Sequence, residues 1–397
     1  MKYKICLVTG NRADYGMLKN LLFELKKKNL FNLSTIVTGA HLEKQFGYTI
    51  KKIIQDKVKI SKKINIKIKK DKPDDIINSI STCLKKFSNI FKKRKPDLII
   101  LLGDRYEIFS VAVASIFHNI PIAHIHGGEI TEGAIDDILR HSITKMAYYH
   151  FAATHEYKKN IIQLGEEPHR VYNVGGLGVD SIKKTKFLSK NKLCKFLKID
   201  VNKKIIMVNF HPETKSKISY ENQIKIILES IKTFKNVQFI FTMPNPDTGN
   251  KIVINKIKNF VNTNKNCYFF SSLGEKKFYS LMRYSSAMLG NSSSGYLEMP
   301  TFRKITIDIG DRQKGRIKSN TIIRVSFNKN IIKRVINKVL NSEQNYRNIK
   351  SSNPYGKGGA ATKISNILEK IVKNKINNKK FYKIDEKKKY LKFIQPK

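Results

Sequence analysis

Short apolar runs alternate with amphipathic stretches along the whole chain, which is the pattern of parallel α/β units. In the first half, apolar runs predict strands at Lys4–Thr9, Leu33–Thr38, Leu98–Leu102, Ile120–Ile125, His150–Ala153 and Val171–Val174. Apolar residues spaced three and four apart predict helices at Met17–Lys27, Ser79–Phe91, Ile108–Phe117, Ile135–Met146 and Glu156–Leu164. This half is therefore expected to form a doubly wound parallel sheet with helices on its faces.

The pattern restarts after a glycine cluster at Val174–Gly178, which together with the polar segment up to Lys192 predicts a linker. Strands are then predicted at Ile205–Asn209, Val237–Thr242, Cys267–Phe270, Ala287–Leu289 and Lys304–Ile307, and helices at Gln223–Phe234, Lys251–Val261, Lys276–Arg283, Ser294–Met299 and Asn328–Val339. We expect two doubly wound domains, residues 1–178 and 190–350, facing each other across a cleft. A C-terminal helix in 351–373 and a basic, weakly ordered tail in 374–397 complete the prediction.

The charge of the chain changes this picture little. Of 397 residues, 77 are Lys or Arg and 31 are Asp or Glu, and the formal net charge of +46 taken alone suggests a nucleic-acid or membrane partner. The lysines are spread over the whole length, as AT-rich codons would produce, and no recognised binding motif accompanies them. We therefore expect no nucleic-acid partner. The apolar stretches are well short of the ~20 residues of a spanning helix, so no membrane span is expected either.

Four cysteines, Cys6, Cys83, Cys194 and Cys267, lie far apart without paired spacing, which indicates neither a disulfide framework nor a zinc site. His124 and His126 alternate along a predicted strand and would point to opposite faces, so they cannot both bind one metal ion. The first apolar run ends at Thr9 instead of extending into a signal-peptide core. We expect a cytoplasmic protein with no metal and no cofactor.

In open parallel sheets, ligands bind beyond the carboxyl ends of the strands, and polar residues follow the predicted strands here. The Thr9–Gly16 loop offers backbone N–H groups and Arg12 for a phosphate, although a turn with a surface arginine explains the loop equally well. Asp104 and Arg105 follow the apolar run Leu98–Leu102. At the end of a buried strand, this pair would need each other or a ligand to offset desolvation.

The next two polar segments add more titratable groups. His124–Glu129 ends a predicted strand, and Asp136–His141 begins the following helix. Asp136 and Arg140 lie four residues apart and could simply form a salt bridge along that helix. Three successive strand-end loops with Asp, His, Glu and Arg nevertheless favour acid–base chemistry beside an anionic group.

The second half carries the signals of a diphosphate site. In Leu289–Glu298 a strand runs into small residues at a helix start, where hydroxyl and N–H groups can hold a diphosphate and Glu298 can accept ribose hydroxyls. His211–Thr214, Asn245–Gly249 and Gly310–Arg316 add polar and cationic groups at the same end of the sheet. Together these loops predict a cleft for a nucleotide diphosphate whose substituent reaches the acidic loops of the first domain.

Taken in order, these motifs resemble those of the hydrolysing UDP-N-acetylglucosamine 2-epimerases of sialic-acid-type sugar synthesis, and the resemblance runs from Lys4 to about Ile371. The matching segments are Thr9–Gly16, Thr38–His41, Gly103–Glu107, His124–Glu129, Asp136–Lys145, His211–Thr214, Asn245–Gly249, Gly290–Glu298 and Gly310–Arg316. The resemblance implies a GT-B-like fold of two Rossmann-type domains, a homo-oligomer (dimer or tetramer), a nucleotide-sugar substrate and no metal or cofactor.

The resemblance also implies roles for single residues. The nucleotide would be held by Arg12, Arg105, His211, Asn245, Ser292, Ser293, Glu298 and Arg312, with His211 and Arg312 at the diphosphate and Glu298 at the ribose. The acid–base group would comprise Asp104, Asp136 and Asp137, supported by Arg140 and His41. Two positions depart from the family pattern. Family members often carry Glu where this chain has His126, with Glu129 close enough to substitute, and Gly16 stands where some relatives have a nucleotide-contacting Ser.

The implied reaction eliminates UDP across C1–C2 of the sugar and adds water to the resulting 2-acetamidoglucal, converting UDP-N-acetylglucosamine to N-acetylmannosamine and UDP. The same chemistry on UDP- or GDP-linked N,N′-diacetylbacillosamine, towards legionaminic acid, is an alternative, because Gly133–Asp137 and Asn353–Ala360 also look like those enzymes. A GT-B glycosyltransferase would require an acceptor where the epimerase requires only water. A nucleic-acid-binding protein would instead bind unrelated duplexes with a steep salt dependence.

Overall fold

The computed structural model describes residues 2–68, 72–245, 248–342, 352–374 and 378–384, in which the strands form two parallel sheets. The first sheet contains β1 (Tyr3–Thr9), β2 (Phe31–Thr38), β3 (Ile60–Ile64), β4 (Leu98–Leu102), β5 (Ile122–Ile125), β6 (Tyr149–Ala152) and β7 (Val171–Asn173). The second contains β8 (Lys204–Asn209), β9 (Val237–Thr242), β10 (Cys267–Phe270), β11 (Ala287–Gly290), β12 (Ile305–Ile309) and β13 (Ile322–Val325). The predicted class, two parallel α/β domains, is confirmed.

Helices cover the faces of both sheets. In the first half they are α1 (Arg12–Lys26), α2 (Ile50–Gln55), α3 (Pro73–Lys93), α4 (Tyr106–Phe117), α5 (Asp136–Met146), α6 (His155–Gln163) and α7 (Leu177–Lys184). The second half adds α8 (Lys190–Leu197), α9 (Tyr220–Ile231), α10 (Asn250–Thr263), α11 (Gly274–Tyr284), α12 (Ser294–Leu297), α13 (Lys329–Asn341) and α14 (Ala360–Ile371). None of these described helices is long and apolar enough to cross a membrane.

The strand order places the candidate loops together. The sheets have the orders β3-β2-β1-β4-β5-β6-β7 and β10-β9-β8-β11-β12-β13, so the direction of winding reverses between β1 and β4 and again between β8 and β11. A crevice opens at such a reversal, beyond the carboxyl ends of the strands. The polar loops that follow these four strands therefore meet in one cleft between the domains.

Two strands were not predicted from the sequence, and both are edge strands. β3 and β13 each pair with a single neighbour, and their exposed positions include Lys62, Lys63 and Arg324. Charged residues on an edge strand discourage pairing with other chains, but they also interrupt the apolar run that identifies a buried strand. Central strands such as β4, whose residues are all at most 3% exposed, were identified correctly.

The predicted linker from Val174 to Lys192 is wrong, because the chain there forms α7 and begins α8. α7 packs against α1, and its Leu177 belongs to the core of the first domain. Gly178 does not serve a turn. A Cβ at this position would lie 2.6 Å from Oε1 of Glu298, so the glycine allows the two segments to approach closely.

The C-terminal helix α14 returns to the first domain and packs against α1. Its first turn is held by the Asp180 carboxylate, which accepts hydrogen bonds from the N–H groups of Gly359 (2.5 Å), Ala360 (3.1 Å) and Ala361 (2.7 Å). The predicted weakly ordered tail lies partly outside the described residues. Within its described part, Lys379 Nζ reaches the buried Glu166 at 2.7 Å, so 378–384 contact the first domain.

Candidate active site

Two adjoining cavities occupy the cleft between the domains. One, called the acid–base cavity after the chemistry expected of its residues, is lined by Asp104, His126, Glu129 and Asp136 of the first domain. The other, called the nucleotide cavity for the same reason, is lined by Arg12 and by His211, Ser292 and Glu298 of the second domain. The cavities share lining residues: Ala13, Met17, Asn245, Ser293, Leu297 and Arg312.

Asp104 lies at the floor of the acid–base cavity and pairs with Arg140. The pair forms between the carboxylate Oδ2 and guanidinium Nη2, and the Arg140 side chain is 2% exposed. Arg140 Nη1 also donates to the backbone oxygen of Glu129 (2.9 Å) and to Thr131 Oγ1 (3.0 Å). Arg140 thus joins the loops after β4 and β5. Neither the Asp104–Arg105 pair nor the Asp136–Arg140 pair considered from the sequence is the arrangement found.

The two acids that begin α5 have different contacts. Asp136 lines the acid–base cavity, and its Oδ2 lies 3.8 Å from Arg312 Nη2 of the second domain. Asp137 Oδ1 instead accepts a hydrogen bond from the backbone N–H of Thr131 (2.5 Å) and lies 3.4 Å from Arg140 Nη1. Asp136 therefore faces the ligand space, whereas Asp137 holds the preceding loop in place.

His126 and Glu129 form a buried pair beside the cavity. His126 Nδ1 lies 2.8 Å from Glu129 Oε1, and Arg316 Nη1 of the second domain lies 2.9 Å from Glu129 Oε2. Burial opposes ionisation of Glu129, but the charges of Arg316 and His126 outweigh it and lower the pKa of this carboxyl to about 2. His126 has a left-handed backbone with φ of 65°, an unusual conformation for a residue other than glycine that often marks functional sites.

Arg316 was not among the residues selected from the sequence. It lies within the Gly310–Arg316 segment, which suggested only added cations near the diphosphate. The neighbouring Gly315 has a φ of +86°, and a Cβ there would collide with Ile130 of the first domain, so the glycine allows this loop to approach the first domain closely. A glycine alone does not distinguish a turn from a close approach, so no local sequence signal identifies Arg316.

Asp14 is a second lining residue that the sequence analysis passed over. It lies in the first turn of α1, is 7% exposed, and accepts a hydrogen bond from Asn11 Nδ2 at 2.8 Å. Burial and the nearby charge of Glu107 raise the pKa of Asp14 to about 8. The acid–base cavity is thus lined by one carboxyl with a raised pKa, Asp14, and one with a lowered pKa, Glu129.

The nucleotide cavity is cationic at its entrance. Arg12 is the first residue of α1, because Asn11 caps the helix by accepting hydrogen bonds from Ala13 N (2.8 Å) and Asp14 N (3.1 Å). Arg12 Nη1 donates to Ser271 O of the second domain at 3.1 Å. Gly16, one turn further along α1, also lines this cavity.

Second-domain residues complete the nucleotide cavity. His211 Nδ1 accepts a hydrogen bond from Asn245 N at 3.0 Å, which places the proton of the neutral ring on Nε2. Arg312 Nη1 donates to Asn291 O at 3.2 Å, beside Ser292 and Ser293. Pro246 and Asp247 of the predicted Asn245–Gly249 segment lie outside the described residues.

Glu298 is the buried acid of the nucleotide cavity. It is 7% exposed, and its Oε2 has no hydrogen-bond partner among the described residues. Burial raises the pKa of Glu298 to about 7. A buried oxygen without a partner requires an explanation, and a ligand hydroxyl in the adjoining cavity would supply one.

Two residues predicted from the sequence lie elsewhere than expected. Arg105, expected at the nucleotide, lines the acid–base cavity, and its Nε donates to Glu107 Oε1 at 3.2 Å. His41, expected to support the acid–base group, does not line that cavity in the described part of the chain. Its Nε2 and Nδ1 bond to Thr9 Oγ1 (3.0 Å) and Thr49 Oγ1 (2.8 Å), and burial lowers its pKa to about 3.

Comparison with known proteins supplies the family. A family model described as UDP-N-acetylglucosamine 2-epimerase matches residues 23–369. The chain belongs to this family. Among its relatives, the polysialic acid biosynthesis protein P7 of Escherichia coli is 42% identical over 96% of this chain and 98% of the relative. The GDP/UDP-N,N′-diacetylbacillosamine 2-epimerase (hydrolyzing) of Campylobacter jejuni is 41% identical over 82% of this chain and 85% of the relative.

Solved structures of UDP-N-acetylglucosamine 2-epimerases share the fold of this chain. The Neisseria meningitidis enzyme, solved bound to UDP-GlcNAc, superposes with a TM-score of 0.79 at 20% identity and covers 94% of this chain and 100% of its own. At this identity the likeness concerns the fold alone. It confirms the predicted GT-B-like arrangement of two Rossmann-type domains for this member of the epimerase family.

Proposed function

We propose that this chain is a hydrolysing 2-epimerase that releases UDP from a UDP-linked 2-acetamido sugar and adds water to the resulting glycal. The observation that carries the proposal is the junction of the two cavities at Asn245, Ser293 and Arg312. A diphosphate held at this junction would extend its nucleoside towards Glu298 and its sugar towards Asp104 and His126.

The second domain and Arg12 would stabilise the departing diphosphate. Arg12, Arg312 and the Nε2–H of His211 are donors that line the nucleotide cavity. Fixed donors aimed at oxygens that gain charge are among the strongest contributions to catalysis, since they need no reorganisation during the reaction. Glu298 would accept hydrogen bonds from the ribose hydroxyls and so satisfy its buried Oε2.

The first domain would carry the proton transfers. In the first step a base takes the proton from C2, the C2–H electron pair forms the C1=C2 double bond, and the C1–O bond breaks as UDP leaves. In the second step the hydroxide part of water adds to C1, and a proton adds to C2 on the face opposite to the one from which the first proton was removed. Asp104 lines the cavity from the loop after β4, and His126 and Asp136 line it from the two ends of the connection between β5 and α5, which supports two groups acting on two faces.

Two sugars are candidates. UDP-N-acetylglucosamine is supported by the description of the matching family, and its products would be N-acetylmannosamine and UDP, for the synthesis of sialic-acid-type sugars. N,N′-diacetylbacillosamine linked to UDP or GDP, which leads to legionaminic acid, is supported by hydrolysing relatives from Campylobacter jejuni and Legionella pneumophila, 41% and 32% identical. Both candidates require the same elimination and the same addition of water.

Incubation of the purified protein with each nucleotide sugar tests the proposal. We expect release of UDP or GDP without any acceptor, and a free sugar inverted at C2 that carries one solvent deuterium at C2 when the reaction runs in D₂O. The substrate with the larger kcat/KM identifies the sugar. Nucleotide release that requires an acceptor would indicate a glycosyltransferase, and no release from any of these substrates would reject the proposal.

The setting of the reaction is part of the proposal. The four cysteines are buried free thiols, which fits the reducing cytoplasm. Ile77 of α3 and Phe117 of α4 are 60% and 82% exposed, and apolar side chains that stand this far out of a surface suit an interface between subunits of a homo-oligomer. Light scattering coupled to size-exclusion chromatography measures that state directly, and Phe117→Lys is expected to weaken the association.

A further inference from the structure

We propose that Arg316 of the second domain acts through Glu129 to orient His126, so that His126 exchanges protons with the sugar through its Nε2 atom. In this arrangement Arg316 and Glu129 are positioning residues, and His126 is the catalytic group. The proposal rests on the proposed function and assigns roles within its acid–base cavity. It answers which of His126 and Glu129 takes the place of the glutamate found in many relatives.

Both carboxylate oxygens of Glu129 are already engaged. Oε1 accepts from His126 Nδ1 at 2.8 Å, Oε2 lies 2.9 Å from Arg316 Nη1, and the Glu129 side chain is 3% exposed. With Arg316 and His126 at its two oxygens the carboxyl has a lowered pKa, so Glu129 is a weak base towards a sugar proton. Glu129 therefore acts on the ring of His126 and not on the substrate.

The bond to Glu129 determines which nitrogen of His126 can react. Nδ1 donates its proton to the carboxylate, so the neutral ring carries its lone pair on Nε2. Nε2 faces the backbone N–H of Leu177 at 3.4 Å, a long hydrogen bond that a substrate proton could replace. When Nε2 takes up a proton, the ring becomes an imidazolium whose charge the ionised Glu129 stabilises, as the acid does in a catalytic triad.

Close contact between the domains places Arg316 beside Glu129. Glu132 N donates to Lys314 O at 3.0 Å, and Ile317 N donates to the hydroxyl of Tyr157 at 3.0 Å, which fixes the loop on both sides of Arg316. Gly315 lies against Ile130 where no side chain would fit. The Arg316–Glu129–His126 chain is therefore assembled from residues of both domains.

If Arg316 and Glu129 formed only a structural ion pair, removal of Arg316 would lower the stability of the protein without changing which nitrogen of His126 carries the proton. The charged groups around Glu129 allow this case to be distinguished from the proposed one. Its carboxyl is faced by His126 on its own loop, Arg140 of α5, Tyr157 of α6, Glu298 after α12 and Arg316. Without Arg316, burial and Glu298 favour the protonated form, so the pKa of Glu129 rises from about 2.

The test compares Arg316→Met with Lys314→Met. Lys314 is a matched control because it lies in the same loop and forms an exposed cross-domain pair with Glu132 at 2.9 Å without lining either cavity. We expect kcat to fall roughly 10- to 100-fold in Arg316→Met, the usual effect of losing such a supporting partner, while the Kd for UDP stays within about 3-fold. The acid limb of the kcat profile should also shift in Arg316→Met, because protonation of Glu129 changes the proton affinity of His126.

Arg316→Lys should recover part of kcat, since it restores the charge, and Lys314→Met should match the wild type in kcat and pH profile. Glu129→Gln combined with Arg316→Met should lose no more activity than the worse single variant, because both break one chain. Losses that multiply, or a kcat and acid limb unchanged in Arg316→Met, would overturn the proposal.

A second readout needs no turnover. The ring ¹⁵N chemical shifts of His126, assigned by their absence in His126→Gln, report which nitrogen carries the proton. We expect the Nδ1–H form in the wild type and a mixture of forms in Arg316→Met and Glu129→Gln. If no nucleotide sugar is hydrolysed, the proposed function fails while this measurement still decides the chain of contacts. A wild-type ring protonated at Nε2 would reject the chain even in an active epimerase.

Discussion

Replacing Glu298 with Gln is expected to stabilise the folded protein at alkaline pH and to weaken nucleotide binding. The reason is the environment of the carboxyl, which is 7% exposed and has one oxygen without a partner among the described residues. An ionised group in that position is poorly solvated until a ligand donates to it. Glutamine keeps the shape of the side chain and removes the charge.

The magnitude follows from the pKa of Glu298, which burial raises from 4.5 to about 7. The folded state holds this proton more tightly than the unfolded chain does. The contribution of Glu298 to the free energy of unfolding is therefore fully present below pH 4.5 and is lost as the pH rises to about 7. At about 1.4 kcal/mol per pH unit, ionisation of Glu298 costs about 3 kcal/mol of unfolding free energy at pH 8. Glu298→Gln should recover most of that cost at pH 8 and little of it at pH 4.

Urea denaturation of both proteins at several pH values between 4 and 8, without nucleotide, measures this difference. Glu156→Gln serves as the control, because that side chain is 60% exposed on α6 and its replacement should leave the pH dependence unchanged. Calorimetry with UDP provides the second arm. Loss of hydrogen bonds to a charged acceptor should weaken UDP binding by about 1.5–3 kcal/mol.

Two results would refute the reasoning. Parallel pH profiles for Glu298→Gln and the wild type between pH 4 and 8 would show that Glu298 does not titrate in this window. Unchanged UDP affinity in the variant would show that the carboxyl does not face the ribose. A variant that is more stable at pH 8 and weaker in UDP binding would instead display the usual exchange of stability for function at a binding site.

Four further variants test other parts of the site and fold. Asp104→Asn should abolish nucleotide release while UDP still binds by calorimetry, and wild-type rates would remove Asp104 from the mechanism. His126→Glu should show by its rate whether this position tolerates either acid–base group, with lost activity indicating a site built around histidine. Gly16→Ala should raise the unfolding free energy by about 0.5–1 kcal/mol in urea, because a Cβ there meets no described atom within 4 Å. Asp180→Ala should lower it by about 3 kcal/mol, since three N–H groups at the start of α14 lose their acceptor, whereas Asp74→Ala, at an exposed position of α3, should change it much less.

The sequence was most informative where one physical cause dominates. Continuous apolar runs such as Leu98–Leu102 identify central strands, since a strand buried on both faces admits no polar position. The loops after such strands were then correctly expected to meet, because strand order in a doubly wound sheet gathers them at the reversal. The prediction of a linker after Val174 failed because the glycines there can have more than one physical cause. A glycine at position 178 can serve a turn or a close approach, and only the position of Glu298 distinguishes the two.

Local sequence patterns could not predict which residues pair across the cleft. The spacing of Asp136 and Arg140 on one helix allowed a salt bridge between them as one interpretation, yet Arg140 contacts Asp104, 36 positions away, and Asp136 faces Arg312 of the other domain. A pair between distant segments leaves no periodic signal in one sequence. Arg316 was not identified from the sequence for the same reason, since its partner Glu129 lies in the other domain.

The arginines of the cleft also separate local from global charge. Arg140 pairs with Asp104, Arg316 with Glu129, and Arg105 with Glu107, so each of these three cations has a carboxylate partner. Because such pairs leave little excess charge locally, we expect the +46 of the whole chain to act mainly on the approach of a dianionic substrate to the cleft. If so, raising ionic strength should lower kcat/KM and leave kcat unchanged, because screening affects encounter and not the paired groups.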